Sequence, residues 1–83
     1  MKIRYFAWVR ERVGLEEEEI ELPAGVASVS ELMAWLAARD EGYAAAFAEP
    51  EVIRVALDQF HVEHEAPLGG ASEVAFFPPM TGG

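Results

Sequence analysis

The sequence from residue 73 to residue 83 is EVAFFPPMTGG. Its apolar side chains alternate between two faces, and this two-residue period predicts a β-strand over residues 73–78. Because Pro78 and Pro79 favour an extended backbone and lack the N–H that a strand ladder needs, the strand is expected to end there. The stretch therefore predicts a last strand that leads into a short extended tail.

The predicted tail consists of Pro79, Met80, Thr81, Gly82 and Gly83. Its five residues span about 16 Å when they are fully extended. Because glycine has no Cβ, Gly82 and Gly83 can enter a channel that excludes other residues, and the terminal carboxyl stays open to nucleophiles. A frayed chain end would explain a Gly-Gly pair, but not its position after a stiff Pro-Pro spacer. We therefore expect a flexible tail whose reactive group is the carboxyl of Gly83.

Upstream of the last strand, the sequence predicts one main helix. Ser28 is a candidate N-cap, and Glu31 follows it at the spacing of a capping box. Apolar residues then recur at helical spacing as far as Arg39. Gly42 is expected to end the helix, and residues 43–48 are expected to form one further short helical turn.

Alternating apolar residues predict four further strands, at residues 2–9, 16–22, 51–57 and 61–62. A turn closed by glycine, at residues 10–14, separates the first two strands and predicts that they are antiparallel. The whole pattern predicts an α+β fold, in which the main helix packs across a mixed sheet of four to five strands.

The composition sets limits on the function. The 83 residues suffice for one small domain, which we expect to span residues 1–78, with the tail at residues 79–83. A net charge of −9 argues against nucleic-acid binding and fits basic protein partners. The absence of cysteine excludes disulfides, thiolate metal sites and cysteine nucleophiles. Since neither a signal segment nor an apolar run of about 18 residues is visible, we expect a cytoplasmic protein without membrane contacts.

The common catalytic and ligand-binding motifs are not visible in the sequence. His61 and His64 are three residues apart in an extended segment, so they point to opposite faces and make a poor metal pair. Gly69-Gly70 lacks the Lys and the helix of a phosphate-binding loop, so we expect this chain to bind neither a metal nor ATP. The acidic run at residues 16–19 is either an interaction patch or a charged edge that discourages aggregation.

Alternation also predicts an aromatic patch on the outer face of the sheet. If Tyr5 packs against the helix, Phe6 and Trp8 lie on the opposite face, and Phe77 joins them from the last strand. Exposed aromatic residues that are grouped on a sheet face are typical of an interface, although a second small core beneath a loop would also explain them. The expected polar rim of this patch consists of Lys2, Arg4 and Arg54.

Two segments of the sequence resemble one known family. They are YFAWVRERVG at residues 5–14 and EVAFFPPMTGG at residues 73–83. Both resemble the small subunits of molybdopterin synthase, which are ubiquitin-like sulfur carriers with the β-grasp fold. The resemblance covers the whole length, because the predicted order of elements agrees as well. It implies that the predicted α+β domain has the β-grasp fold.

The resemblance implies a mechanism that is centred on Gly83. An adenylating partner enzyme would use ATP and magnesium to activate its carboxylate, and a separate sulfur donor enzyme would convert it to a thiocarboxylate. Residues 79–82 would carry the sulfur into the active site of the large subunit of the synthase, in an assembly of two small and two large subunits. The chain itself would be a non-catalytic sulfur donor. The conversion of the cyclic pyranopterin precursor to molybdopterin would take place in the active site of the large subunit.

The resemblance also implies which residues contact the partners. Two interface positions fall on Phe6 and Phe77, and a third, which is apolar in the family, falls on His61. Trp8 joins them as a member of the aromatic patch. Two other functions stay open, namely a sulfur carrier for another pathway such as thiamine synthesis, and a ubiquitin-like modifier that is joined to lysines through Gly83.

Overall fold

The computed structural model describes residues 1–79. In chain order its elements are β1 (Lys2–Tyr5), α1 (Ala7–Val13), β2 (Glu17–Glu19), α2 (Val29–Ala37), α3 (Glu41–Ala46), a 3₁₀ turn (Pro50–Val52), β3 (Arg54–Leu57), β4 (Phe60–Val62) and β5 (Glu73–Phe77). The predictions that concern Met80, Thr81, Gly82 and Gly83 lie outside the described residues.

The strands form one mixed sheet in the order β2-β1-β5-β3-β4. β1 and β5 run parallel, and the other neighbouring strands run antiparallel. This arrangement confirms the predicted α+β class and the mixed sheet, including the antiparallel pairing of the first two strands. Within residues 1–79, no helix is both long enough and apolar enough to cross a membrane.

Helix α2 is the predicted main helix, and it begins where the sequence places it. The Ser28 hydroxyl accepts a hydrogen bond from the Glu31 N–H at 3.3 Å, and the Glu31 carboxylate accepts one from the Ser28 N–H at 3.0 Å. The capping box is therefore confirmed. Helix α2 and the sheet share one apolar core. The helix contributes Val29, Leu32, Met33 and Leu36 to it, and the strands contribute Ile3, Tyr5, Val55, Val74 and Phe76.

The prediction of a first strand over residues 2–9 is wrong beyond Tyr5, because α1 begins at Ala7. Val9 is fully buried, and Val13, four residues further on, also packs against the core. A helix brings both side chains to the same face and leaves Glu11 exposed, as observed, whereas a strand would place Glu11 on that face with them. The predicted turn over residues 10–14 is likewise wrong, because residues 10–13 belong to α1; Gly14 ends this helix with a φ of 90°, and its N–H donates to the Arg10 carbonyl at 2.8 Å.

The prediction that Gly42 ends the main helix is also wrong. Helix α2 ends at Ala37, and Gly42 lies inside α3, where Asp40 caps the helix by accepting a hydrogen bond from the Tyr43 N–H at 3.1 Å. A Cβ on residue 42 would come within 2.6 Å of the Arg12 carbonyl oxygen at the end of α1. The glycine is therefore explained by the close approach of two helices, and residues 1–79 contain three α-helices where the sequence predicted one and a short helical turn.

Strands β2 and β3 are shorter than predicted, β4 is one residue longer, and β5 ends one residue earlier, at Phe77. Pro50 starts a 3₁₀ turn, so β3 begins only at Arg54, and β2 contains only residues 17–19. The tight turn between β3 and β4 places Asp58 at a φ of 47°, and its carboxylate accepts hydrogen bonds from the N–H groups of Ser72 and Glu73, each at 3.0 Å. This contact fixes the β3–β4 hairpin beside β5.

Candidate functional site

The face of the sheet opposite α2 carries few large side chains at its centre. Its register aligns four residues across this open face, namely Arg4, Ala75, Ala56 and His61. Ala56 and Ala75 are 6 % and 9 % exposed, so larger side chains beside them shield them from water. The open face is therefore a shallow floor of small side chains between larger ones.

Three of the predicted contact residues lie at one end of this floor. Phe76 is aligned with Tyr5 in the parallel pair of β1 and β5, so Phe6 lies level with Phe77. The Phe6 N–H donates to the Phe76 carbonyl at 3.1 Å, which fixes this alignment. The His61 ring meets the Phe77 ring edge to face, with 5.4 Å between the ring centroids. Phe6, His61 and Phe77 therefore lie at the end of the sheet where β5 leaves it, with the rings of His61 and Phe77 in contact, and we call these three residues the aromatic cluster.

Trp8 does not belong to this cluster by alternation, because it lies on α1 and not on β1. The Trp8 ring packs partly against the core, and the Arg12 guanidinium lies 4.3 Å from the centre of the ring. Its predicted position on the sheet face is wrong, since a helix turns the side chain by about 100° per residue and not by 180°. Its predicted contact with a partner remains a prediction.

Two cations of the predicted rim are held by neighbours on the open face. The Lys2 ammonium lies 3.4 Å from the Glu17 carboxylate, and the Arg4 Nε lies 3.8 Å from it. The Arg4 guanidinium also lies over the Phe6 ring, at 5.2 Å from its centre. The predicted side of both cations is therefore correct, and each already has a partner within the chain.

The third cation, Arg54, lies where the chain leaves the sheet. It is aligned with Phe77, the last residue of β5. Together with Pro79 it lines a groove of roughly 560 Å³, whose walls are the start of β3 and the segment after β4. His61 and the acidic residues Glu51, Glu63 and Glu65 also line this groove. We call it the exit groove, because Pro79 leads from it to the predicted tail.

The side chains of the acidic run at residues 16–19 lie on both faces of the sheet. The sequence alone does not predict this distribution. Glu17 meets the cations of the open face, and the Glu19 carboxylate lies 3.0 Å from the N-terminal ammonium. Glu18 points to the opposite side and enters a polar network beside the core. No local signal separates Glu18 from its neighbours, since all three are glutamates in one short edge strand.

The Glu18 carboxylate accepts hydrogen bonds from three side chains. The donors are the hydroxyls of Tyr5 at 2.8 Å and Tyr43 at 2.6 Å, and the Arg39 guanidinium at 3.1 Å. Although burial raises the pKa of Glu18, the hydrogen bonds from Tyr43, Tyr5 and Arg39 outweigh it and lower that pKa below its ordinary value. Burial, and then the hydrogen bond to Glu18, raise the pKa of Tyr43 to about 12. The network connects β1, β2 and α3.

The described residues show no group that could hold a metal ion. Within residues 1–79, no three His, Cys, Asp or Glu side chains lie close enough together to form such a site. The His64 Nε2 lies 2.7 Å from the Ile53 carbonyl oxygen, so this side chain is held by the backbone at the base of the β3–β4 hairpin. The geometry of the described residues therefore brings aromatic side chains together on an open sheet face beside Pro79.

Comparisons with known proteins agree with this geometry. The model of the ThiS family matches residues 3–83. The molybdopterin synthase sulfur carrier subunit of Escherichia coli (strain K12) is 37 % identical over 83 residues, which are 100 % of this chain and 99 % of that protein. The protein of the same name from Haemophilus influenzae is 30 % identical over the same shares of the two chains.

A solved structure shows the same fold. The putative molybdopterin converting factor, subunit 1, from Pyrococcus furiosus superposes with a TM-score of 0.73. It is 31 % identical, and the alignment covers 95 % of each chain. The predicted ubiquitin-like architecture is thereby confirmed for the described residues, and the similarity extends over nearly the whole of both chains.

Proposed function

The chain belongs to the ThiS family, and we propose that it is the sulfur carrier subunit of a molybdopterin synthase, acting in molybdenum cofactor biosynthesis. Two carriers of that name match it from end to end, which supports this function over a carrier for another pathway. The observation that carries the proposal is the aromatic cluster of Phe6, His61 and Phe77, because it lies beside the exit groove from which the tail starts.

The chemistry of the proposal takes place at the carboxyl of Gly83. A free carboxylate resists substitution because its leaving group would be oxide, whereas an acyl-adenylate releases AMP. An activating partner enzyme supplies ATP and magnesium for this step and releases pyrophosphate. A donor enzyme then supplies sulfur at the oxidation level of sulfide, which attacks the acyl carbon; the bond from that carbon to the AMP oxygen breaks, AMP leaves, and a thiocarboxylate with a nucleophilic sulfur remains. This route needs no cysteine in the carrier, which agrees with a sequence that contains none.

The docking step brings this sulfur to the large subunit. Phe6, His61 and Phe77 contact the large subunit, and Trp8 extends the contact from α1. Pro79, Met80, Thr81 and Gly82 carry Gly83 into the active site there, in an assembly of two small and two large subunits. Because the reacting pterin is bound by the large subunit, the small subunit acts as a donor and not as a free-standing enzyme. Two transfers supply the two sulfur atoms of the dithiolene, and the whole process is cytoplasmic.

A reconstituted synthase tests this proposal. The purified chain is incubated with the activating enzyme, ATP, magnesium, a sulfur donor, the large subunit and the cyclic pyranopterin precursor. We expect molybdopterin to form, and we expect none with a chain that lacks Gly83. A chain that supports thiazole formation instead, or that becomes linked to lysines of other proteins, would contradict the proposal in favour of the other two functions.

A further inference from the structure

Arg54 differs from the other cations of the open face. It is an exposed residue at the start of β3, directly aligned with Phe77. Among residues 1–79, the ion pairs involve the N-terminus, Lys2, Arg4 and Arg39, and no carboxylate lies within 4.0 Å of an Arg54 nitrogen. Arg10 and Arg12 of α1 likewise make no ion pair among these residues, so what sets Arg54 apart is its place on the open face, where Lys2 and Arg4 are both paired.

The position of Arg54 makes this lack informative. It lies between the aromatic cluster and the exit groove, and it shares the groove with Pro79. A partner that covers Phe77 must therefore also cover the guanidinium or lie at its edge. Removal of a guanidinium from water without a counter-charge is costly, whereas a carboxylate that accepts two of its N–H groups offsets this cost.

We propose that Arg54 recognises a carboxylate of the large subunit, at the rim of the site that receives the tail; this inference rests on the proposed function. The planar guanidinium offers two parallel N–H donors, which match the two oxygens of an Asp or Glu side chain. The ion pair fixes the register of docking, because it forms only when Phe77 is seated beside it. The net charge of −9 draws the carrier to a basic partner, and Arg54 selects the one acidic position on that surface.

The groove glutamates provide the competing explanation for Arg54. Glu51, Glu63 and Glu65 line the same groove, and a guanidinium among them reduces their mutual repulsion. Exposed pairs of this kind contribute little to stability, so this role requires no partner carboxylate. The two explanations can be separated by the direction in which a negative charge at position 54 changes the affinity for the partner. If the partner is acidic at this point, a negative charge in place of Arg54 weakens binding; if the partner is basic there, it strengthens binding.

The test measures the affinity of three variants for the large subunit by calorimetry. Arg54→Glu reverses the charge and Arg54→Leu removes it. The control is the double variant Ala44→Glu/Ala45→Glu, because both alanines are exposed on α3, on the helix side of the fold. The control has the same net charge as Arg54→Glu. We expect Kd to rise about 30-fold or more for Arg54→Glu, less for Arg54→Leu, and under about threefold for the control.

An unchanged or lower Kd for Arg54→Glu would overturn the proposal and assign Arg54 to the groove glutamates. An equal loss in the control would also overturn it, since the effect would then follow net charge alone. Thermal unfolding of each variant shows that the fold is retained, because Arg54 is exposed. Failure of the proposed function gives a different result: the unsubstituted carrier would then not bind the large subunit at all.

Discussion

The polar network around Glu18 leads to the sharpest prediction about stability. Glu18→Gln keeps the shape of the side chain but removes its charge and one of its two acceptor oxygens. One oxygen remains for the hydroxyls of Tyr5 and Tyr43, and the new NH₂ group faces the donors of Arg39. Since the Glu18 side chain is only 14 % exposed, water does not replace the lost acceptor well.

The magnitude follows from the bonds that are lost. A hydrogen bond to a charged group contributes about 1.5–3 kcal/mol, and the partly exposed ion pair with Arg39 adds about 0.5 kcal/mol. We therefore expect Glu18→Gln to lower the free energy of unfolding by about 2–3 kcal/mol. In a domain of this size, this corresponds to a fall in Tm of about 10–15 °C. Denaturation in urea and calorimetry measure both quantities.

The neighbouring residue on the same strand supplies the control. Glu19→Gln removes the pair between an exposed carboxylate and the N-terminal ammonium, which keeps its hydrogen bond to the Ile20 carbonyl, so its cost should stay below about 1 kcal/mol. Tyr5→Phe and Tyr43→Phe, which each remove one donor, should each lose less than Glu18→Gln. If Glu18→Gln and Glu19→Gln unfolded at the same urea concentration, the network would not stabilise the fold and the reasoning from its geometry would be refuted.

Three further predictions follow from the same structure. Gly42→Ala should lower the free energy of unfolding by about 1–3 kcal/mol, since its Cβ would lie 2.6 Å from the Arg12 carbonyl oxygen. If urea denaturation showed a stabilised variant, the higher helix propensity of alanine would outweigh this close contact. Stability should fall below about pH 4.5, because the lowered pKa of Glu18 makes its contribution disappear on protonation, and it should also fall from about pH 10 towards pH 12, where Tyr43 loses its proton in the unfolded chain first. The dependence of Tm on pH checks the acid limb, which should be shallower in Glu18→Gln than in the original chain, since Glu31 keeps its own lowered pKa in both. Phe77→Asp should weaken binding to the large subunit at least tenfold with little change in Tm, and an unchanged Kd in a titration would exclude the aromatic cluster from the interface.

The elements that could be predicted are those with a local signal. The capping box of Ser28 and Glu31 depends on two residues three positions apart, and the alternation in β5 depends on five consecutive residues. Face assignments followed from alternation wherever a strand was predicted correctly, which is why Arg4 and Arg54 were placed on the proper side. Phe6 could be placed for the same reason, since it directly follows β1.

The features that could not be predicted depend on contacts between distant segments. Residues 7–9 continue the alternation of β1, which predicted a strand as far as Val9, but Val9 and Val13 pack on the core from a helix that begins at Ala7. Trp8 was misplaced as a consequence. Gly42 resembles a helix stop in the sequence, but its reason is the carbonyl of a residue thirty positions earlier. Tertiary packing outweighed local pattern in each case.

The central claim is that the carboxyl of Gly83 carries the sulfur, and the mass of the intact protein tests it most directly. The chain is incubated with the activating enzyme, ATP, magnesium and a sulfur donor, and its mass is measured before and after the reaction. The account predicts a gain of about 16 Da, because one oxygen is replaced by sulfur, and its localisation to the C-terminal peptide. A mass that stays unchanged, or a gain that fragmentation places on any residue other than Gly83, would contradict the account.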